Sequence, residues 1–211
     1  MTVVVRIRLA GAVLAMMVGC LTACGDDDDG AGAAPTPVPG VGTLVGAVEG
    51  GDVYVALISD GERVVGYLCD DGKIAAWLAP AEIDNGRAQL VSRDGKDMGD
   101  VEIGADGASG SVEVAGQSLG FAVIPASGDA GVFRATAGTA GEPGSIEAGW
   151  ITLADGSTKG ATKTLTEGDD FVIGLAPELP DGGAGFVDLG GGEQAEVHEL
   201  GPEFIVEESE R

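Results

Sequence analysis

Gly116-Gln117-Ser118-Leu119-Gly120 has the spacing of a nucleophile elbow, in which small residues let a strained turn expose a serine. The single histidine, His198, lies downstream, with Asp169, Asp170, Asp181 and Asp188 between them. That order of serine, acid and histidine matches an α/β-hydrolase, and it makes a secreted serine hydrolase using Ser118 and His198 one reading of the chain. The surroundings argue against it. An elbow joins a strand to a helix, whereas Phe121-Ala122-Val123-Ile124-Pro125 patterns as a strand and Gly116-Gln117 as a hairpin turn. The chain is therefore not expected to be an enzyme.

Metal and redox chemistry are equally thin. The chain has one His and three Cys, Cys20, Cys24 and Cys69, too few for a Cys/His zinc site once Cys20 is removed and Cys24 modified as argued below. Asp26-Asp27-Asp28-Asp29 lacks the alternate carboxylates, sixth-position glycine and distant Glu of a calcium loop. A calcium-binding module elsewhere in so acidic a chain is kept as an alternative, with no ligands assigned. Gly40-Val41-Gly42 and Gly190-Gly191-Gly192 precede no helical pattern, so no phosphate loop and no cofactor is expected. Cys69 is left without an intramolecular partner and is expected to be a buried, inert thiol.

Charge sets the next bound. The formal net charge is −24 over 211 residues. Of eleven basic residues, Arg6 and Arg8 lie in the first segment, while all 35 acids follow it, so the rest of the chain carries nine bases against 35 acids. Such a field repels phosphate backbones and favours cationic ligands, so nucleic acid is excluded as a partner. A small molecule or protein is the ligand class left open.

The elements that must hold any site are strands. Short apolar runs alternate with Asp-Gly and Asn-Gly pairs, the hairpin turn residues. Val53–Ile58, Val64–Cys69 and Ile74–Leu78 are apolar on both faces, which predicts a covered side. Later runs alternate. Val112 and Val114 share a face, as do Leu119, Phe121 and Val123, and then Ile146, Ala148, Trp150 and Thr152. The pattern predicts an all-β, antiparallel meander of eight to ten strands over Thr43–Lys163, closing into a small barrel or sandwich. Within it Tyr54, Tyr67, Trp77 and Trp150 are the largest side chains. They either line a ligand cavity or fill the core, and they are the candidate ligand-binding residues.

The amino-terminal segment supplies an address. Arg6 and Arg8 precede a fifteen-residue apolar run, Leu9–Ala23, too short for a bilayer span of roughly 20 residues and suited to a signal peptide. The run ends in Leu21-Thr22-Ala23-Cys24, which resembles the lipobox of bacterial lipoproteins. The resemblance implies cleavage before Cys24, a diacylglycerol on its sulfur, and a protein lipid-anchored to the cell membrane on its extracytoplasmic face. The expected organisation is signal peptide 1–23, acidic and Pro/Gly-rich tether 24–42, β-meander 43–163, and 164–211 as further strands or a lid ending in an acidic tail from Glu203. Gly131-Val132-Phe133-Arg134-Ala135, with Gly149-Trp150-Ile151-Thr152-Leu153-Ala154-Asp155-Gly156 after it, resembles a pattern in uncharacterised secreted proteins of high-GC bacteria. It implies no activity. Together these features lead to a tethered binding or scaffolding domain in the cell envelope.

Overall fold

The structure, a computed structural model, describes residues 40–209 other than Asp94, Asp169, Gly191 and Glu193. The signal segment, Cys24 and the tether up to Pro39 lie outside the described residues. Fifteen strands follow in order: β1 Val41–Val48, β2 Tyr54–Asp60, β3 Arg63–Cys69, β4 Ala75–Trp77, β5 Ala81–Glu82, β6 Arg87–Val91, β7 Asp97–Gly104 and β8 Gly107–Val114. Then come β9 Gln117–Pro125, β10 Gly131–Ala137, β11 Ile146–Thr152, β12 Thr158–Leu165, β13 Phe171–Leu175, β14 Gly185–Asp188 and β15 Gln194–Glu199. The chain ends in α1, Phe204–Ser209. The molecule is all-β, and every named strand pairing is antiparallel.

Two meanders make the first sheet. β1 to β4 pair in sequence, β6 to β9 pair in sequence, and β1 pairs with β9 to join them in the order β4-β3-β2-β1-β9-β8-β7-β6. The sheet curls until its ends meet. Leu78, just after β4, bridges Ser92, just after β6, and the Ala79 amide donates to the Val91 carbonyl at 2.8 Å. The curl encloses Val55, Leu57, Leu68, Leu90, Val101, Val112 and Phe121, so the two ends of the sheet share one interior. The alternation read in β8 and β9 matches this: Val112, Phe121 and Val123 are all buried there.

The second sheet runs β13-β12-β11-β10-β15-β14. It lies against the outside of β1–β3. Between the sheets sit Ala56, Ile58, Val65, Tyr67 and Trp77 from the first and Val132, Ile151 and Ala161 from the second. Its far face holds Phe133, Ala135, Trp150, Val187 and Val197. β2 and β3 are thus buried on both faces, Val55 and Leu57 facing the curl and Tyr54, Ala56 and Ile58 facing the second sheet. This is why both runs carry no polar alternation.

Several boundaries differ from the sequence reading. β1 begins at Val41, inside the stretch expected to be tether, because Val41↔Asp60 and Gly42↔Ser59 extend its pairing with β2. β12 runs past Lys163 to Leu165, held by β13. Residues after 164 contribute β13, β14 and β15 to the second sheet. Within the acidic tail, Phe204–Ser209 is a helix: Phe204 and Ile205 enter the layer between the sheets at 2% and 0% exposure. Their burial supplies what a six-residue helix lacks on its own. No helix among the described residues is long and apolar enough to cross a membrane.

Turn positions shift by one residue where strand register overrides turn propensity. The β8–β9 turn is Ala115-Gly116, closed by Val114↔Gln117, not Gly116-Gln117. Both turn residues have positive φ, 49° and 80°. This is the conformation that Asn85-Gly86 supplies with the preferred residues at 51° and 78°. Alanine in that region carries roughly 1 kcal/mol of strain. Ala115→Asn is therefore expected to raise stability by up to about 1 kcal/mol in urea unfolding.

The β2–β3 turn depends on Asp60, whose Oδ1 accepts from the Glu62 amide at 2.9 Å and the Arg63 amide at 2.6 Å. Desolvation pushes its carboxyl pKa up, but the Arg63 and Glu62 amides and the Arg63 guanidinium together hold it below the ordinary value. A depressed folded pKa stabilises above the unfolded value of about 3.9 and stops doing so as pH falls through the folded one. Asp60→Asn is expected to cost roughly 1 kcal/mol at pH 7. The gap to wild type should shrink as unfolding is repeated at pH values below about 4.

Candidate functional site

The structure separates the hydrolase pair. Ser118 stands exposed on β9 opposite Glu113 of the β8 hairpin, in the first sheet. His198 stands on β15 opposite Arg134, in the second. Its Nε2 lies 4.0 Å from Glu196 Oε2, with both side chains more than half exposed. The elbow sequence is a strand-to-strand turn, without the helix whose N-terminus would support an oxyanion. Among the described residues no three His, Cys, Asp or Glu side chains converge as a metal site. Cys69 is buried, its Sγ 3.5 Å from the Lys159 carbonyl, and burial pushes the thiol pKa far up.

The four aromatics are packed, and they do not converge on one space. Tyr67 and Trp77 stack at 4.2 Å between ring centroids, and the Tyr67 ring lies over Gly149, where a Cβ would come within 2.5 Å of it. Tyr54 donates its hydroxyl to Ser157 Oγ at 2.9 Å. Trp150 lies on the far face of the second sheet, flat against Gly160, and donates Nε1–H to the Pro177 carbonyl at 2.8 Å. Tyr54, Tyr67 and Trp77 belong to the layer between the sheets and Trp150 to the layer beyond.

What the sequence reading did not anticipate is a buried charge cluster around Arg134. This side chain is 9% exposed, and its Nη1 reaches Glu208 Oε1 at 3.3 Å. Its Nε lies 2.8 Å from Glu147 Oε1, within ion-pair range but off line for a hydrogen bond, so those two atoms lack a directional partner. Glu208, 2% exposed, also binds the Arg93 guanidinium. Aromatic faces complete the shell, with Phe204 5.3 Å and Trp77 5.8 Å from the guanidinium carbon. Hence β4, β10, β11 and α1 meet at one cation, and Glu208 draws in the β6–β7 loop through Arg93. Val132-Phe133-Arg134-Ala135 held a weak signal, a lone arginine inside an apolar strand; its carboxylate partners come from positions 147 and 208, too distant for any local pattern to reveal.

Two of the concavities among the described residues differ in charge. A groove of about 1170 Å³ lies over β6–β9 and is acidic, with Glu49, Glu82, Asp84, Asp100 and Glu102 against Arg87, itself paired with Glu102 at 3.1 Å. A cleft of about 370 Å³ lies between β4 of the first sheet and β12–β13 of the second. Trp77 and Ile74 line one wall, Phe171 and Ile173 the other. Lys73, Arg93, Lys163 and Glu147 supply its charge. Lys163 Nζ stands 4.2 Å from the Phe171 ring centroid.

Comparison with protein-family models, with curated proteins and with solved structures returned no match. The geometry therefore stands on its own chemistry.

Glu208 holds α1 against both sheets through two arginines. Glu208→Gln keeps the shape and removes the charge, leaving Arg134 with Glu147 alone. Urea unfolding at pH 7 is expected to show a loss of about 3 kcal/mol, the scale for breaking a buried ion pair.

Proposed function

We propose that this chain is a lipid-anchored extracytoplasmic protein whose β domain works as a binding or scaffolding module in the cell envelope. The observation that carries the reading is Leu21-Thr22-Ala23-Cys24, placed directly after a fifteen-residue apolar run that follows Arg6 and Arg8. A single acyl chain holds a protein at a membrane only marginally, and two or more give stable attachment at about 0.8 kcal/mol per buried methylene. A diacylglyceryl group on Cys24 meets that requirement. Asp26–Asp29 and the Pro/Gly-rich residues after them cannot form a packed core and suit a solvated tether.

Binding is favoured over catalysis because Ser118 and His198 stand on separate sheets. The described domain instead presents a two-layer frame with concave surfaces of opposite charge. Its acidic groove disfavours polyanions such as nucleic acid.

Metabolic labelling with radioactive palmitate tests the anchor. Wild type is expected to carry the label, and Cys24→Ala to carry none and to leave the membrane fraction. Label retained in Cys24→Ala would overturn the assignment.

A further inference from the structure

We propose that the cleft between β4 and β12–β13 binds a small amphipathic anion, an acyl or aryl group bearing one carboxylate or sulfonate. Charge is the first argument. Nine basic residues remain after Cys24, facing 35 acids. Three of the nine, Lys73, Arg93 and Lys163, line this one cleft, with Glu147 the single acid among its described lining residues. Elsewhere the field repels anions; here it is locally inverted.

The three cations differ in availability. Arg93 is engaged by Glu208, and the acid of the cleft, Glu147, faces Arg134 at 2.8 Å. Lys73 is exposed, and neither it nor Lys163 has a carboxylate in ion-pair range among the described residues. Lys163 rests instead over the Phe171 ring, a weak attraction given up for a full negative charge. Among the described residues, two ammonium groups thus stand without a carboxylate partner, Lys73 beside β4 and Lys163 on β12.

The apolar surface is the second argument. Phe171 is 52% exposed, a large ring left in water at the mouth of a cleft that also holds Trp77, Ile74 and Ile173. A cavity with apolar walls and a few convergent charges is the usual form of a small-ligand site, and about 370 Å³ is at the small end of that range. The geometry places an apolar group against Trp77 and Phe171 and its anionic head between Lys73 and Lys163. The frame is preorganised, because Trp77 is stacked on Tyr67 and Glu147 is held by Arg134. This inference rests on the binding-module reading and names its site and ligand class, but it does not depend on the anchor.

The test uses the full chain carrying Cys24→Ala, so that no lipid competes, and the fluorescent probe anilinonaphthalene sulfonate. Saturable 1:1 binding displaced by octanoate is expected. Lys73→Glu/Lys163→Glu should weaken it at least about tenfold. Arg87→Glu/Lys96→Glu, an equal charge change outside the cleft, should leave it within about twofold. Both pairs are surface changes, and near-UV circular dichroism checks that each variant keeps native packing. Equal loss in the two double variants, or no saturable component, would overturn the proposal. So would a concentration-dependent dimer abolished by Phe171→Glu, since the apolar edge would then serve a second copy of the chain. None of these outcomes alters palmitate labelling of Cys24, so the two readings fail separately.

Discussion

The structure depends on a two-strand wall with no polar face. β2 and β3 place Val55, Leu57, Val64 and Leu68 into the interior of the curled sheet and Ala56, Ile58, Val65 and Tyr67 into the layer against the second sheet. An antiparallel sheet ordinarily keeps one side for water. Here water is excluded from both, so each residue of the hairpin is committed to one of two cores. A slip of one residue would send every side chain into the wrong one. Turn chemistry guards that register: Asp60 gathers the Glu62 and Arg63 amides, and Asp70 gathers those of Lys73 and Ile74, at the two ends of β3.

Close approach of the second sheet follows from small residues at the contact. Gly149 admits the Tyr67 ring, and Ala161 and Ala56 are almost fully buried between the sheets. With aromatics only 4% of the chain, the interlayer space is filled by a few large rings against glycine and alanine. That explains why Tyr54, Tyr67 and Trp77 are core residues while Trp77 still forms part of a cleft wall: one ring serves the packing and presents an edge at the gap between the sheets.

Much of this was legible in the chain. Period-two alternation in Val112–Val114 and Leu119–Val123 marked the strands and their buried face, because alternation is a local consequence of the pleat. In Ile146–Thr152 it marked the strand, but both faces are buried there, Ala148 and Trp150 on one side and Gly149 and Ile151 on the other. The double-sided burial of β2 and β3 was readable for the same reason. Turn positions were readable to within one residue, since Ala115 yields to register what Asn or Gly would take by preference. The sheet crossover from β1 to β9, the helix at 204–209 and the Arg134 cluster were not legible. Each depends on partners about seventy or more residues apart, as with Arg134 and Glu208, and no periodicity encodes such pairs.

The distribution of the few cations ties the architecture to its surfaces. Arg134 sits between the layers and compensates Glu147 and Glu208, two carboxylates that would otherwise be costly to hold away from water. Lys159 reaches Asp71 at 2.8 Å and ties β12 to the β3–β4 turn. At that turn Gly72 lies so close to the β13 backbone that a Cβ would meet Leu175 N at 2.9 Å. These contacts bring the edges of both sheets together along the line where the cleft opens. In a chain so rich in acids, positive charge gathers where the layers are joined. The remaining cations at that seam, Lys73 and Lys163, consequently face the apolar-walled gap between β4 and β13. The same scarcity of bases that makes the interlayer cluster necessary gives the adjoining cleft its sign.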